Sequence, residues 1–93
     1  MPVTVYIPGP LRELAGGSRQ VRLDGTHGTV GEALAALGSA HPGVLDRVMD
    51  EQGRVRPHVN LFVGRESIRG TGGLETPLTA DAELFILPAV SGG

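Results

Sequence analysis

The residues of this sequence best suited to chemistry stand at its carboxyl end, "ILPAVSGG", Ile86–Gly93. A terminal carboxylate has a pKa near ~3.5 and is ionised at neutral pH, so it can attack the α-phosphate of a nucleotide to give an acyl-adenylate. Glycine then leaves the acyl carbon unhindered for a second attack by sulfur or by an amine. We therefore predict that the carboxyl group of Gly93 is adenylated; an inert glycine-rich end is the alternative.

The last six residues also suit insertion into a partner. From Pro88 to Gly93 an extended chain reaches roughly 20 Å, enough to enter a narrow channel whose walls would collide with side chains at the last two positions. We predict a folded domain over residues 1–87 and a flexible tail over residues 88–93. The predicted threading residues are Pro88, Ala89, Val90, Ser91 and Gly92.

Other candidates for chemistry are weaker. His27, His41 and His58 do not have the spacing of a metal motif. Ser91 lies in the predicted tail without a positioned base. "RGTGG", Arg69–Gly73, resembles a phosphate loop, but no helix pattern begins directly after it, so a turn is favoured. We expect no catalytic residue, no metal site and no bound cofactor.

Composition narrows the function classes further. A chain of 93 residues accommodates one domain, and 40% hydrophobic with 19% charged residues is typical of soluble globular proteins. A net charge of −2 without a run of basic residues argues against nucleic-acid binding. The sequence contains no cysteine, no long apolar run and no signal-peptide pattern, so we expect no membrane association and a cytoplasmic location.

The first half of the chain predicts a hairpin followed by a helix. Residues alternate between apolar and polar types in "VTVYI", Val3–Ile7, and in "RQVRLD", Arg19–Asp24, as in half-buried strands. One helical turn is predicted at Leu11–Leu14. Thr29 and Glu32 then have the spacing of a capping box, and Pro42 ends the helix that they begin. A short second helix is predicted through "VLDRVMD", residues 44–50.

The second half returns to strands. "PHVNLFV", Pro57–Val63, and "AELFILP", Ala82–Pro88, are predicted strands, with a short edge strand near Ser67–Arg69. One strong amphipathic helix among these strands predicts an α+β fold with two layers, in which the main helix packs on one face of a mixed sheet. The order is that of the β-grasp, or ubiquitin-like, fold, whose first and last strands lie parallel in the centre. The tail should therefore leave from the middle of the sheet.

The only aromatic residues are Tyr6, Phe62 and Phe85. If the β-branched residues of each strand face the helix, alternation turns all three rings to the open face of the sheet. Cross-strand packing worth about 0.2–1 kcal/mol per pair is one explanation. We favour a docking patch for a partner, centred on Phe85, with Phe62 beside it and Tyr6 at its margin. On this interpretation Phe85→Ala should cost little stability.

The sequence resembles the MoaD/ThiS family of ubiquitin-like sulfur carriers over essentially its whole length. The resemblance is strongest from "HVNLFV", His58–Val63, through "IRGTGGLETPLTADAELFILPAVSGG", residues 68–93. An ending of "ILPAV", a small residue and Gly-Gly is similar to CysO-type carriers, which supply sulfur for cysteine synthesis. Small subunits of molybdopterin synthase typically carry a second proline where this chain has Ala89, whereas "LREL", Leu11–Leu14, is similar to that second group.

The resemblance implies a carrier without catalytic activity of its own. An activating enzyme related to ubiquitin E1 enzymes would adenylate Gly93 with ATP, and a sulfur donor would convert the adenylate to a thiocarboxylate. A sulfur-accepting biosynthetic enzyme would then use it. In CysO-type systems that acceptor is a cysteine synthase-like pyridoxal-phosphate enzyme, and a metallopeptidase releases the cysteine. Two alternatives stay open: a small subunit of molybdopterin synthase, and a ubiquitin-like modifier that forms isopeptide bonds with lysines of target proteins.

Overall fold

The computed structural model describes residues 2–25 and 28–88. Within them lie two α-helices, α1 (Val30–Ala40) and α2 (Pro42–Val48). Three 3-10 helices span Gly9–Ala15, Ile68–Gly70 and Gly73–Glu75. The strands are β1 (Val3–Tyr6), β2 (Gln20–Leu23), β3 (Val59–Val63), β4 (Glu66–Ser67) and β5 (Glu83–Pro88). Every predicted strand and helix is present, with ends that differ by up to two residues.

The five strands form one mixed sheet in the order β2-β1-β5-β3-β4. The central pair, β1 and β5, is parallel, and the other neighbours are antiparallel. This arrangement confirms the predicted β-grasp fold. Because β5 is the middle strand, Pro88 lies midway across one end of the sheet, the end at which β1 and β5 both terminate.

The connection from β1 to β2 is longer and more regular than one helical turn. A 3-10 helix covers Gly9–Ala15, so the turn predicted at Leu11–Leu14 is only its central part. The 3-10 helix ends at Gly16 and Gly17, whose φ angles of 67° and 86° are rarely adopted by residues other than glycine. The Gly17 amide donates to the Arg12 carbonyl at 2.7 Å and closes the reversal. This segment places Arg12 at the same end of the sheet as the last residues of β5.

Helix α1 begins at the predicted capping box. The Thr29 hydroxyl accepts from the Glu32 amide at 3.2 Å, and the Glu32 carboxylate accepts from the Thr29 amide at 3.2 Å. Both interactions satisfy amides that the first helical turn leaves without an intrahelical partner. The absence of a side chain at Gly38 lets Leu45 of α2 pack directly against α1. The helical layer thus consists of one main helix and one short helix on the same face of the sheet.

The core lies between this helical layer and one face of the sheet. The fully buried members from the sheet include Val5, Leu61 and Leu84, and those from the helices include Leu34 and Leu37. No aromatic residue belongs to this buried set. None of the helices in residues 2–25 and 28–88 is long and apolar enough to cross a membrane.

The edge strand and the segment that follows it differ in part from the sequence prediction. The edge strand predicted near Ser67–Arg69 lies at Glu66–Ser67, because the Ser67 side chain accepts from the Arg69 amide and starts a 3-10 helix instead. Arg69–Gly73 contains the end of the 3-10 helix Ile68–Gly70, a turn at Thr71 and Gly72, and the first residue of the 3-10 helix Gly73–Glu75, so the turn favoured over a phosphate loop occupies only its centre. The hydroxyls of Thr71, in this turn, and of Thr76, directly after the second 3-10 helix, lie 3.0 Å apart, and Thr76 is buried.

Candidate functional site

The three aromatic residues form one row across the open face of the sheet. Strand register places Phe85 of β5 opposite Tyr6 on β1 and opposite Phe62 on β3. The rings of Tyr6 and Phe85 stack with their centroids 4.5 Å apart and their planes at 7°. All three residues are half-buried, whereas Val5 and Leu84 on the helix side are fully buried. The outward orientation predicted by alternation is correct; the docking role of this aromatic row stays a prediction.

Polar residues flank the aromatic row. Gln20 on β2 lies opposite Tyr6, and Ser67 on β4 lies opposite Phe62. An apolar centre between polar ends is the usual composition of a protein-binding patch. With these polar flanks the aromatic row extends across all five strands and offers a surface on which a partner could bind.

A short hydrogen bond orients Tyr6 within the row. Its hydroxyl donates to a carboxylate oxygen of Glu83 at 2.6 Å. This hydrogen bond, with smaller effects from desolvation and from the Glu83 charge, raises the pKa of Tyr6. Tyr6 therefore stays neutral at physiological pH. Its hydrogen bond to Glu83 and its stack on Phe85 together fix the orientation of the ring.

Strand β5 ends at Pro88, where the predicted tail begins. Leu87 lies opposite Asn60, and Pro88 lies opposite Val59, so strand pairing continues to the last described residue. Leu87 is 43% exposed, which is unusual for a large apolar side chain in this protein. We call Leu87 and Pro88 the tail exit. The other threading residues, Ala89, Val90, Ser91 and Gly92, and the reactive Gly93 lie outside the described residues.

Two grooves border the tail exit. A shallow groove of about 500 Å³ runs along the open face beside Tyr6, Phe85 and Leu87, and we call it the exit groove. Arg12 and Arg19 form its far wall. A second, smaller groove of about 190 Å³ is lined by Leu87 and Pro88 together with Arg47 and His58. Arginine side chains therefore line both grooves at the tail exit.

Sequence reasoning missed three of these residues. Leu87 has the same strand parity as Phe85, so its outward direction could have been read from the alternation. Arg12 and Arg19 gave no such signal, because their proximity depends on the 3-10 helix between β1 and β2.

The histidines and carboxylates of the described residues are not grouped as a metal site would require. Residues 2–25 and 28–88 contain no group of three His, Asp or Glu side chains able to hold a metal ion. His41 lies between α1 and α2, and His58 lies just before β3, while His27 and Ser91 fall outside the described residues. The expectation of no metal and no cofactor stays a prediction.

Comparison with known proteins gives one family and several close relatives. The family model described as the ThiS family matches residues 5–93. The sulfur carrier protein CysO of Mycobacterium tuberculosis is 38% identical over 95 residues, which cover 100% of both chains. Small archaeal modifier protein 1 of Haloferax volcanii is 40% identical over 84 residues, or 89% of this chain and 91% of that protein.

A solved structure extends the likeness to the fold. A chain of the Amycolatopsis orientalis BexX/CysO complex superimposes with a TM-score of 0.86 and 37% identity, covering 98% of this chain and 99% of that one. The predicted resemblance to MoaD/ThiS proteins and to CysO-type carriers is therefore confirmed. The matches extend through the carboxyl end, where the predicted reactive group stands.

Proposed function

The chain belongs to the ThiS family, and we propose that it is a sulfur carrier whose Gly93 carboxylate is adenylated and then converted to a thiocarboxylate. The observation that carries this proposal is the alignment with the Mycobacterium tuberculosis carrier, which covers both chains completely and so includes Gly92 and Gly93. The fold supports it, because the central strand β5 directs the chain outward at Pro88. No side chain of the described domain is needed for the chemistry.

The proposed reaction has two steps. A carboxylate oxygen of Gly93 attacks the α-phosphorus of ATP, a new P–O bond forms, and pyrophosphate leaves. Hydrosulfide from a sulfur donor then attacks the acyl carbon, a C–S bond forms, AMP leaves and a proton is released. ATP belongs to the E1-like activating enzyme, and the carrier itself holds no cofactor.

The aromatic row is the proposed contact surface for that enzyme. Phe85 lies two residues before Leu87 on the strand that leads into the tail. A partner that grips Phe85 fixes the origin of the arm and reduces the entropy lost when the tail enters a channel. Tyr6 and Phe62 extend the same surface on either side of Phe85.

Cysteine synthesis is the proposed destination of the sulfur. A thiocarboxylate is a soft anionic nucleophile, and a peptide tether spares the cell free sulfide. The similarity to CysO-type carriers favours a cysteine synthase-like acceptor over other thio-synthases, with a metallopeptidase to release the product. The Amycolatopsis orientalis relative was crystallised in a complex with BexX, which supports binding of the carrier to a separate partner protein.

A protein modifier is the second candidate, favoured by the 40% identity to small archaeal modifier protein 1. Both functions begin with the same adenylate and differ in the second nucleophile, which is a lysine amine for a modifier. Because this sequence contains no lysine, conjugates would form on other proteins and not between copies of the chain through lysine. Immunoblots of cells that express a tagged chain would show ladders of higher mass for a modifier.

Intact mass spectrometry tests the proposed function. The protein is incubated with the E1-like enzyme of its own organism, ATP and sulfide. We expect a mass increase equal to the replacement of one oxygen by sulfur, dependent on ATP. Deletion of Gly93, or addition of one alanine after it, should abolish the increase. Retention of the increase in the deletion variant would refute Gly93 as the site.

A further inference from the structure

We propose that Arg12 and Arg19 make the exit groove a carboxylate-binding surface, and that its occupant is an acidic surface of the partner protein that receives the tail. This inference rests on the proposed function, since it concerns the partner that the tail enters. Arg12 and Arg19, beside the aromatic row, would then set the orientation in which the partner docks.

Both arginines are held by the same buried residue, Ile7, at the end of β1. The Ile7 amide donates to the Arg19 carbonyl at 2.8 Å, and the Arg12 Nε donates to the Ile7 carbonyl at 3.1 Å. Ile7 itself is only 2% exposed, so this anchor is part of the core. Because β1 runs parallel to β5, Ile7 lies at the same end of the sheet as the tail exit.

The exit groove has a charge opposite to that of the whole protein. The chain carries a net charge of −2, yet no Asp or Glu is among the described residues that line the exit groove. Within residues 2–25 and 28–88, the one ion pair joins Arg54 and Asp50, so neither Arg12 nor Arg19 is neutralised by a carboxylate there. Glu83, at the start of β5, is not a lining residue, and its carboxylate accepts a hydrogen bond from the hydroxyl of Tyr6, which lines the groove.

Arginine is well suited to this role. A guanidinium has five N–H donors, of which the Arg12 Nε uses one for Ile7. The terminal nitrogens can bind a carboxylate in a two-pronged arrangement, which fixes orientation as well as charge. Since Phe85 and Leu87 form the other wall, the matching partner surface combines apolar side chains with carboxylates.

A protein carboxylate fits the site better than the phosphates of the nucleotide. The five residues after Pro88 place the reacting carboxyl group roughly 17 Å from the tail exit when extended. The nucleotide must lie at that far end, beyond the reach of Arg12 and Arg19. These arginines therefore face the mouth of the partner's channel.

Charge reversal at Arg19 tests the inference through kinetics. Arg19 is exposed and holds Ile7 through its backbone, so Arg19→Glu should leave the fold intact. The matched control is Arg65→Glu, an equal charge change at an exposed site beyond β3, at the opposite end of the sheet. With the E1-like enzyme, we expect Arg19→Glu to raise the KM for thiocarboxylate formation about tenfold at low salt, with kcat unchanged. Arg65→Glu should stay within about twofold of wild type.

Salt provides a second readout of the same variants. Exposed charges are screened over about 10 Å at roughly 0.1 M salt and over about 3 Å at 1 M. The KM difference between wild type and Arg19→Glu should therefore shrink as salt rises. Equal effects of Arg19→Glu and Arg65→Glu, or a difference insensitive to salt, would overturn the inference.

A binding experiment separates this inference from the proposed function. Isotope-labelled protein is titrated with hexaglutamate, with hexalysine as the control peptide, and amide shifts are followed by NMR. We expect hexaglutamate to shift Ile7, Arg19 and Leu87, and Arg19→Glu to suppress those shifts. Shifts centred on Arg54 or Arg65 instead would refute the exit groove. If the glutamate shifts appear while wild type never gains sulfur, the proposed function fails and the groove stands.

Discussion

Truncation of Phe85 to alanine is the most informative change to the open face. The ring stacks on Tyr6 at 4.5 Å and lies opposite Phe62, so both neighbours lose a partner. Its strand neighbour Leu84 faces the helices and has no exposed surface. The two adjacent positions therefore compare an outward aromatic residue with an inward aliphatic one on the same strand.

The stability cost of Phe85→Ala follows from these contacts. An aromatic pair contributes about 0.5–1.5 kcal/mol beyond area burial, and a cross-strand pair about 0.2–1 kcal/mol. We expect a loss of about 1–2 kcal/mol in the free energy of unfolding, more than the small loss that the docking interpretation predicts, because the Phe85 ring stacks on Tyr6. Leu84→Ala should cost about 2–5 kcal/mol, as for other buried leucines.

The effect on docking should be larger than the effect on folding. If Phe85 is a binding hot spot, its truncation costs ~2 kcal/mol or more of binding free energy. That corresponds to about a thirty-fold drop in kcat/KM for activation. Activation is measured at a temperature where Phe85→Ala and Leu84→Ala are both folded by circular dichroism.

The Leu84→Ala control decides between docking and stability. Leu84→Ala should be activated at the wild-type rate once folded, although it is the less stable variant. A folded Phe85→Ala variant that is activated at the wild-type rate would refute docking through the aromatic row. Equal activation defects in both variants would show that the defect follows stability.

Three further changes probe the tail, the turn before β3 and the start of α1. Gly92→Val should leave the thermal midpoint unchanged and slow activation, because a β-branched residue restricts the backbone and adds bulk in a narrow channel; wild-type activation would argue against such a channel. The Arg54 amide donates to the Asp50 carboxylate at 2.9 Å and is the largest cause of the lowered pKa of Asp50. Asp50 thus stabilises the fold above its unfolded pKa and loses this effect as pH falls through its folded pKa, so Asp50→Asn should reduce stability at neutral pH and match wild type in acid, as measured by urea unfolding at several pH values. Thr29→Ala removes the capping hydroxyl that accepts from Glu32 and should cost about 1 kcal/mol in urea unfolding, whereas Thr29→Ser should be near wild type.

The fold could be predicted from the sequence because its signals are local. The capping box at Thr29 and Glu32 involves residues three apart, and strand alternation needs only immediate neighbours. Once the order of strands and helices along the chain is known, few two-layer arrangements are compatible with it. The same alternation correctly predicts that the Phe85 side chain points to the open face of the sheet.

What could not be predicted depends on contacts between distant segments. The strand pattern allows cross-strand packing of the aromatic residues but does not specify that Tyr6 stacks on Phe85, since that contact depends on the register of β1 and β5. The exit groove is likewise hidden, because Arg12 and Arg19 meet only through hydrogen bonds to Ile7. The edge strand is a local exception: it ends at Ser67, whose side chain accepts from the Arg69 amide only two residues later, and so lies earlier than the predicted strand near Ser67–Arg69.

The central claim is that sulfur is carried at Gly93, and the tryptic digest of the protein isolated from its own cells tests it most directly. The sequence has no lysine and its last arginine is Arg69, so trypsin releases residues 70–93 as one carboxyl-terminal peptide. We predict that a fraction of this peptide has one oxygen replaced by sulfur, that fragmentation locates the sulfur at Gly93, and that the fraction disappears from cells lacking the E1-like enzyme. A peptide that never carries sulfur, or one whose sulfur persists without that enzyme, would contradict the account.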